Sequence, residues 1–76
     1  MFGFGKSKAA KELDEILKSL QLAFENNYKD NARANLAKFE AEFTAAKNAG
    51  KLRGKEAEMY AAKLVELKER LKNFRH

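Results

Sequence analysis

Apolar residues recur at steps of three and four along nearly the whole chain, in three successive sets. The first set is Leu13, Leu17, Leu20 and Phe24. The second set is Ala32, Leu36, Phe39, Phe43 and Ala46, and the third is Ala57, Tyr60, Leu64, Leu67, Leu71 and Phe74. Such steps place each set on one side of an α-helix, so each segment has one apolar stripe to bury. The pattern therefore predicts three helices that share one core.

Residues with known preferences for helix ends separate these segments. Ser7 is a suitable N-cap for the first helix, because its hydroxyl can accept a hydrogen bond from a free backbone N–H. Asn26 and Asn27 are expected to end that helix, since asparagine tolerates the left-handed conformation that follows many helices. Either Asn27 or Asp30 could cap the second helix, and Gly50 is expected to terminate it.

These signals predict an all-α fold, an antiparallel up-down-up three-helix bundle. The predicted helices span about residues 8–26, 28–49 and 55–74. With 76 residues, no proline and short connections, the chain has room for one domain, residues 8–76, and little choice of topology. Gly3 and Gly5 predict a short flexible N-terminal arm over residues 1–7, and Leu52 could fold back onto the core. The side chains expected to fill the core are Leu17, Leu20, Phe39, Phe43, Leu64 and Leu67.

Charge and composition set the expected environment. The chain carries a formal net charge of +5 and no cysteine, which favours a reducing compartment and predicts a cytoplasmic protein. It has neither a secretory signal pattern nor the roughly 20 consecutive apolar residues that a transmembrane helix needs. The carboxylates are expected on solvated helix faces, paired with lysines, as with Asp14 and Lys18.

Few side chains could carry out catalysis. The hydroxyl groups of serine and threonine are confined to Ser7, Ser19 and Thr44, and the one histidine is His76 at the C-terminus. A nucleophile or general base needs a partner that holds and activates it, and no such pairing is evident. We therefore expect no enzymatic activity, no metal site and no cofactor.

A basic cluster is expected at one end of the bundle, because an antiparallel arrangement brings the start of the chain next to the second loop. We name this cluster the basic pole. Its members are Lys6, Lys8, Lys11, Lys51, Arg53 and Lys55. It could bind nucleic acid or another polyanion, or an anionic membrane with Phe2 and Phe4 at the headgroups. Alternatively, these are ordinary solvated lysines at the end of a small domain.

Alanines form a second candidate surface on the side of helix 2 opposite Phe39. We name this set the alanine stripe. Its members are Ala34, Ala37, Ala41 and Ala45. Small side chains would let a helix of another protein, or of a second copy, approach closely, although alanine is also simply a strong helix former. The sequence thus favours a small non-catalytic protein-interaction module, with polyanion binding and peripheral membrane association as alternatives.

Overall fold

A computed structural model describes residues 7–74 and contains three α-helices joined by two short loops. The helices are α1 (Lys8–Glu25), α2 (Lys29–Asn48) and α3 (Gly54–Lys72). α1 packs against α2 and α2 packs against α3, and no strand occurs between residues 7 and 74. The predicted all-α three-helix bundle is confirmed. Most of the predicted arm, residues 1–6, lies outside the described residues.

The start and end of α1 follow the sequence prediction. The Ser7 Oγ accepts a hydrogen bond from the backbone N–H of Ala10 at 3.1 Å. Asn27 adopts a left-handed backbone conformation with φ of 59°. Its N–H donates to the carbonyl of Phe24, and the N–H of Tyr28 donates to the carbonyl of Ala23. This is the paired closure typical of a helix C-terminus, with asparagine in the place that glycine most often takes.

The start of α2 differs from the prediction. Its N-cap is Tyr28, which makes no capping hydrogen bond from its side chain, whereas Asn27 or Asp30 was expected. Asn27 is already used in the left-handed position that closes α1, and Asp30 lies one position inside the helix. The end of α2 is as predicted, because Gly50 has a φ of 74° and the N–H of Lys51 donates to the carbonyl of Ala46.

One continuous core joins the three helices. Its buried apolar side chains are Ala10, Leu13, Ile16, Leu20, Ala23, Phe24, Ala32, Leu36, Phe39, Phe43, Ala46, Leu52, Tyr60 and Leu67. Phe39 is fully buried, with the nearly parallel ring of Phe43 centred 6.5 Å away and the ring of Tyr60 centred 6.3 Å away. Leu52 folds back from the second loop onto this core, as predicted.

Two of the six expected core residues are not fully buried. Those that are buried as predicted are Leu20, Phe39, Phe43 and Leu67. Leu17 and Leu64 are only partly buried and pack against the edge of the core. The reason is that α1 and α3 both pack mainly on α2, so the middle of the α1–α3 side remains partly open. Ile16 is buried on α1 although the sequence interpretation left it out.

Near one end of the bundle, Tyr60 links α3 to α1. Its hydroxyl donates to Asp14 Oδ1 at 2.7 Å and lies 3.3 Å from the carbonyl oxygen of Ala10. The expected pairing of Asp14 with Lys18 is replaced, because Asp14 accepts from Tyr60 while Lys18 Nζ lies 3.8 Å from Glu15. This link fixes the start of α3 beside the first half of α1.

The environment of Tyr60 favours the neutral phenol. Burial raises the pKa of Tyr60 well above its ordinary value, and the hydrogen bond to Asp14 raises it further. The negative charges of Asp14 and Glu56 act in the same direction. Because the pKa is higher in the folded state, this contribution to stability is complete below about pH 10 and is lost as the pH rises beyond that value.

We predict that Phe39→Ala lowers the free energy of unfolding by about 3 to 5 kcal/mol, because it removes a fully buried ring from the centre of the core. Leu64→Ala should cost clearly less, since Leu64 is already partly exposed. Urea unfolding followed by circular dichroism compares the two variants. Equal losses for Phe39→Ala and Leu64→Ala would contradict this description of the core.

We also predict that Tyr60→Phe reduces the loss of stability between pH 9 and pH 11, because phenylalanine has no hydroxyl to ionise on unfolding. At pH 7 the same variant should lose about 1 kcal/mol through the missing hydrogen bond to Asp14. Urea unfolding at pH 7, 9 and 11 measures both effects. Tyr28→Phe is the control, because it makes the same chemical change at a side chain that is 57% exposed.

Candidate binding surfaces

The basic pole lies at the end of the bundle where α1 and α3 begin. Lys8 and Lys11 are in the first turn of α1, Lys51 and Arg53 are in the second loop, and Lys55 is at the start of α3. All five side chains are exposed. The sixth predicted member, Lys6, lies outside the described residues.

A crevice of about 600 Å³ connects the two chain segments that form the basic pole. It runs between α1 and the end of α2, and both Lys8 and Lys51 line it. Leu13 and Ala46 contribute apolar surface, while the other charged side chains in its wall are Glu12 and Glu42. The structure therefore brings Lys8 and Lys51 together across a gap of 43 positions in the sequence.

Ion pairs between described residues occur elsewhere on the bundle. They are Glu15–Lys18, Asp30–Arg33, Lys63–Glu66 and Glu40–Lys68. Within residues 7–74, no carboxylate lies within ion-pair distance of Lys8, Lys11, Lys51, Arg53 or Lys55. The five described cations of the basic pole are thus solvated charges.

All members of the alanine stripe are exposed on α2, away from Phe39. At 100° per residue, Ala34, Ala37 and Ala41 fall within a sector of about 60° on the helix surface. Ala45 also lines the crevice beside α1, so it lies at the border of the stripe. The sequence therefore predicted correctly that these side chains stay outside the core.

An exposed valine on α3 lies on the same side of the bundle as this stripe. Lys68 Nζ is 2.9 Å from Glu40 Oε2 and joins α3 to α2 at the surface. Helix geometry places Ala37 about 60° further from the core than Glu40, and Val65 about 60° further than Lys68. Both residues therefore lie on the solvent side of the ion pair, about one helical turn from it in opposite directions because α2 and α3 are antiparallel, and Val65 is 65% exposed. We name Ala34, Ala37, Ala41 and Val65 the α2–α3 face.

The sequence interpretation did not single out Val65. The third apolar set passes through Leu64, and Val65 lies about 100° further around the helix, off that stripe. Leu22 and Met59, which the sequence does place off the core stripes, are 58% and 49% exposed. Leu22 lies with Leu17 in a separate shallow depression on α1. It does not extend the α2–α3 face.

The described part of the chain offers neither a metal-binding cluster nor a membrane-spanning helix. Between residues 7 and 74 there is no group of three or more His, Cys, Asp or Glu side chains that could hold a metal ion. None of the three helices combines the length and the apolar character needed to cross a membrane. His76 lies outside the described residues.

Comparison with known proteins assigns no family. No protein-family model matches the chain, and no curated protein or solved structure does so either.

Proposed function

We propose that the protein is a non-catalytic interaction module that binds a helix of a partner through the α2–α3 face. The observation that carries the proposal is the 65% exposure of Val65 on the same side of the bundle as the exposed alanines of α2. A β-branched apolar side chain on a solvated helix face gains little from helix propensity, unlike alanine. Its position on the same side of the bundle as three small side chains favours a surface that another helix covers.

The shape of the face suits a helix as the partner. Alanine side chains let two helix axes approach to about 8 Å, the short end of the usual range of packing distances. Val65 then supplies the larger apolar group, whose burial contributes about 1 kcal/mol after its existing partial burial is allowed for. The Glu40–Lys68 ion pair lies between the two sides of the face and offers polar atoms to the partner.

The border of the face has the polar character typical of a protein interface rim. Arg33, Lys38 and Thr44 are exposed on α2 around the alanines. A partner helix with a small apolar strip and flanking acidic residues would match this arrangement. Such a partner could be a different protein or a second copy of this chain.

We predict that Ala41→Glu lowers partner retention at least 10-fold, because a charged and longer side chain would prevent close approach of the helices. The free energy of unfolding should change by only tenths of a kcal/mol, since Ala41 is exposed and glutamate is a good helix former. Sedimentation equilibrium measures association with a second copy, and affinity capture with quantitative mass spectrometry measures association with other proteins.

The matched control is Ala62→Glu, which makes the same chemical change at an exposed position of α3. Residue 62 lies about 160° around α3 from the buried Tyr60, on the side of Val65 that faces away from α2, and so outside the α2–α3 face. If Ala41→Glu and Ala62→Glu capture the same proteins in the same amounts, helix propensity alone explains the alanine stripe. The proposal would then be abandoned.

A further inference from the structure

Independently of the α2–α3 face, we propose that the basic pole binds the phosphate backbone of nucleic acid without sequence preference. The proposal stands on the unpaired charges at this end of the bundle and on their relation to the helix termini. Its members on the described chain are Lys8, Lys11, Lys51, Arg53 and Lys55. None of these five forms an ion pair within residues 7–74.

The balance of charge at this end is positive. Lys47, in the last turn of α2, adds a sixth described cation. The carboxylates in the same region are Glu12, Asp14, Glu42, Glu56 and Glu58. Six cations therefore face five carboxylates. A phosphate group that approaches does not have to displace an existing ion pair from the five cations of the basic pole, so their full charge is available to it.

Helix termini add to this positive potential. An up-down-up bundle places two helix N-termini and one C-terminus at the same end, and here those are the starts of α1 and α3 and the end of α2. Each terminus carries roughly half an elementary charge, positive at the N-terminus, so the sum at the basic pole is about +0.5. This sum reinforces the side-chain charges.

The first turn of α1 runs against the usual preference of helices. Acidic residues stabilise the start of a helix and basic residues weaken it. α1 has no acidic residue in its first turn and has Lys8 and Lys11 there instead. A first turn that lacks the preferred acidic residues, and has no ion pair to compensate, is typical of a position that serves binding rather than stability.

The side chains of the basic pole decide which polyanion fits. The large apolar side chains that are exposed among the described residues are Leu22, Tyr28, Met59 and Val65. Met59, one turn after Lys55, is the one of these nearest the pole, and Leu52, in the second loop, is buried. The described pole thus offers charge without a ring for base stacking, and a single half-exposed methionine is little for insertion into lipid. Its chemistry favours contact with backbone phosphates.

The test is binding of the full chain to a fluorescein-labelled DNA duplex of about 20 base pairs, measured by fluorescence anisotropy at several salt concentrations. If five cations contact phosphates, affinity should fall roughly 500-fold between 50 and 200 mM salt. Replacing Lys51, Arg53 and Lys55 with glutamine leaves two contacts, and the fall should shrink to about 12-fold. A second duplex of scrambled sequence should bind equally well.

The matched control replaces Lys29, Lys38 and Lys72 with glutamine, which removes the same charge from positions outside the basic pole. These three lysines also form no ion pair within residues 7–74, so helicity by circular dichroism should stay unchanged in both triple variants. The control should keep the salt dependence of the parent. Equal effects of the two triple variants would overturn the proposal, because binding would then depend on net charge alone.

Two further outcomes also overturn it. One is the absence of duplex binding by the parent chain at 20 mM salt. The other is co-sedimentation with vesicles of phosphatidylserine and phosphatidylcholine in the absence of duplex binding, which would assign the pole to a membrane surface. Failure of the Ala41→Glu experiment leaves this proposal untouched, since Ala41 lies on α2 outside the pole.

Discussion

Packing around Phe39 is the interaction on which the rest of the structure depends. Its ring is fully buried between Phe43 of the same helix and Tyr60 of α3, and α1 packs against the same side of α2. Both α1 and α3 therefore pack on α2. They are linked to each other mainly near the ends of the bundle, through Tyr60 with Asp14 and through Phe24 with Phe74, which follows α3. Because the core uses one side of α2, the opposite side stays free as a surface.

Local chemistry explains what the sequence could predict about the fold. Ser7, Asn27 and Gly50 act through their own side chains or backbone freedom, so their roles follow from residue type. Leu17 and Leu64 were wrongly expected to be buried. The period of a helix identifies its apolar side but does not show how closely the apolar sides of two helices pack. The hydrogen bond from Tyr60 to Asp14 spans 46 positions, and no local pattern indicates it.

The two candidate surfaces differ in how far sequence alone could locate them. The basic pole follows from topology, because any antiparallel bundle of these helices brings Lys8 near Lys51. What the sequence could not indicate is which cations remain unpaired, since that depends on distances such as the 2.9 Å between Lys68 and Glu40. Val65 was missed for a similar reason. The helix period places it about 100° from Leu64 and off the apolar stripe, but that period does not show which neighbouring helix lies beside it.

The sparse burial of α3 has a consequence for the order in which the molecule opens. α3 contributes two buried side chains, Tyr60 and Leu67, whereas α1 contributes six and α2 five. Partial unfolding should therefore begin with detachment of α3 from an α1–α2 hairpin that stays paired, and the amide hydrogens of α3 should exchange with solvent first. Lys55 and the start of α3 would move away from the basic pole when α3 detaches. A ligand bound at the basic pole would therefore also oppose the detachment of α3.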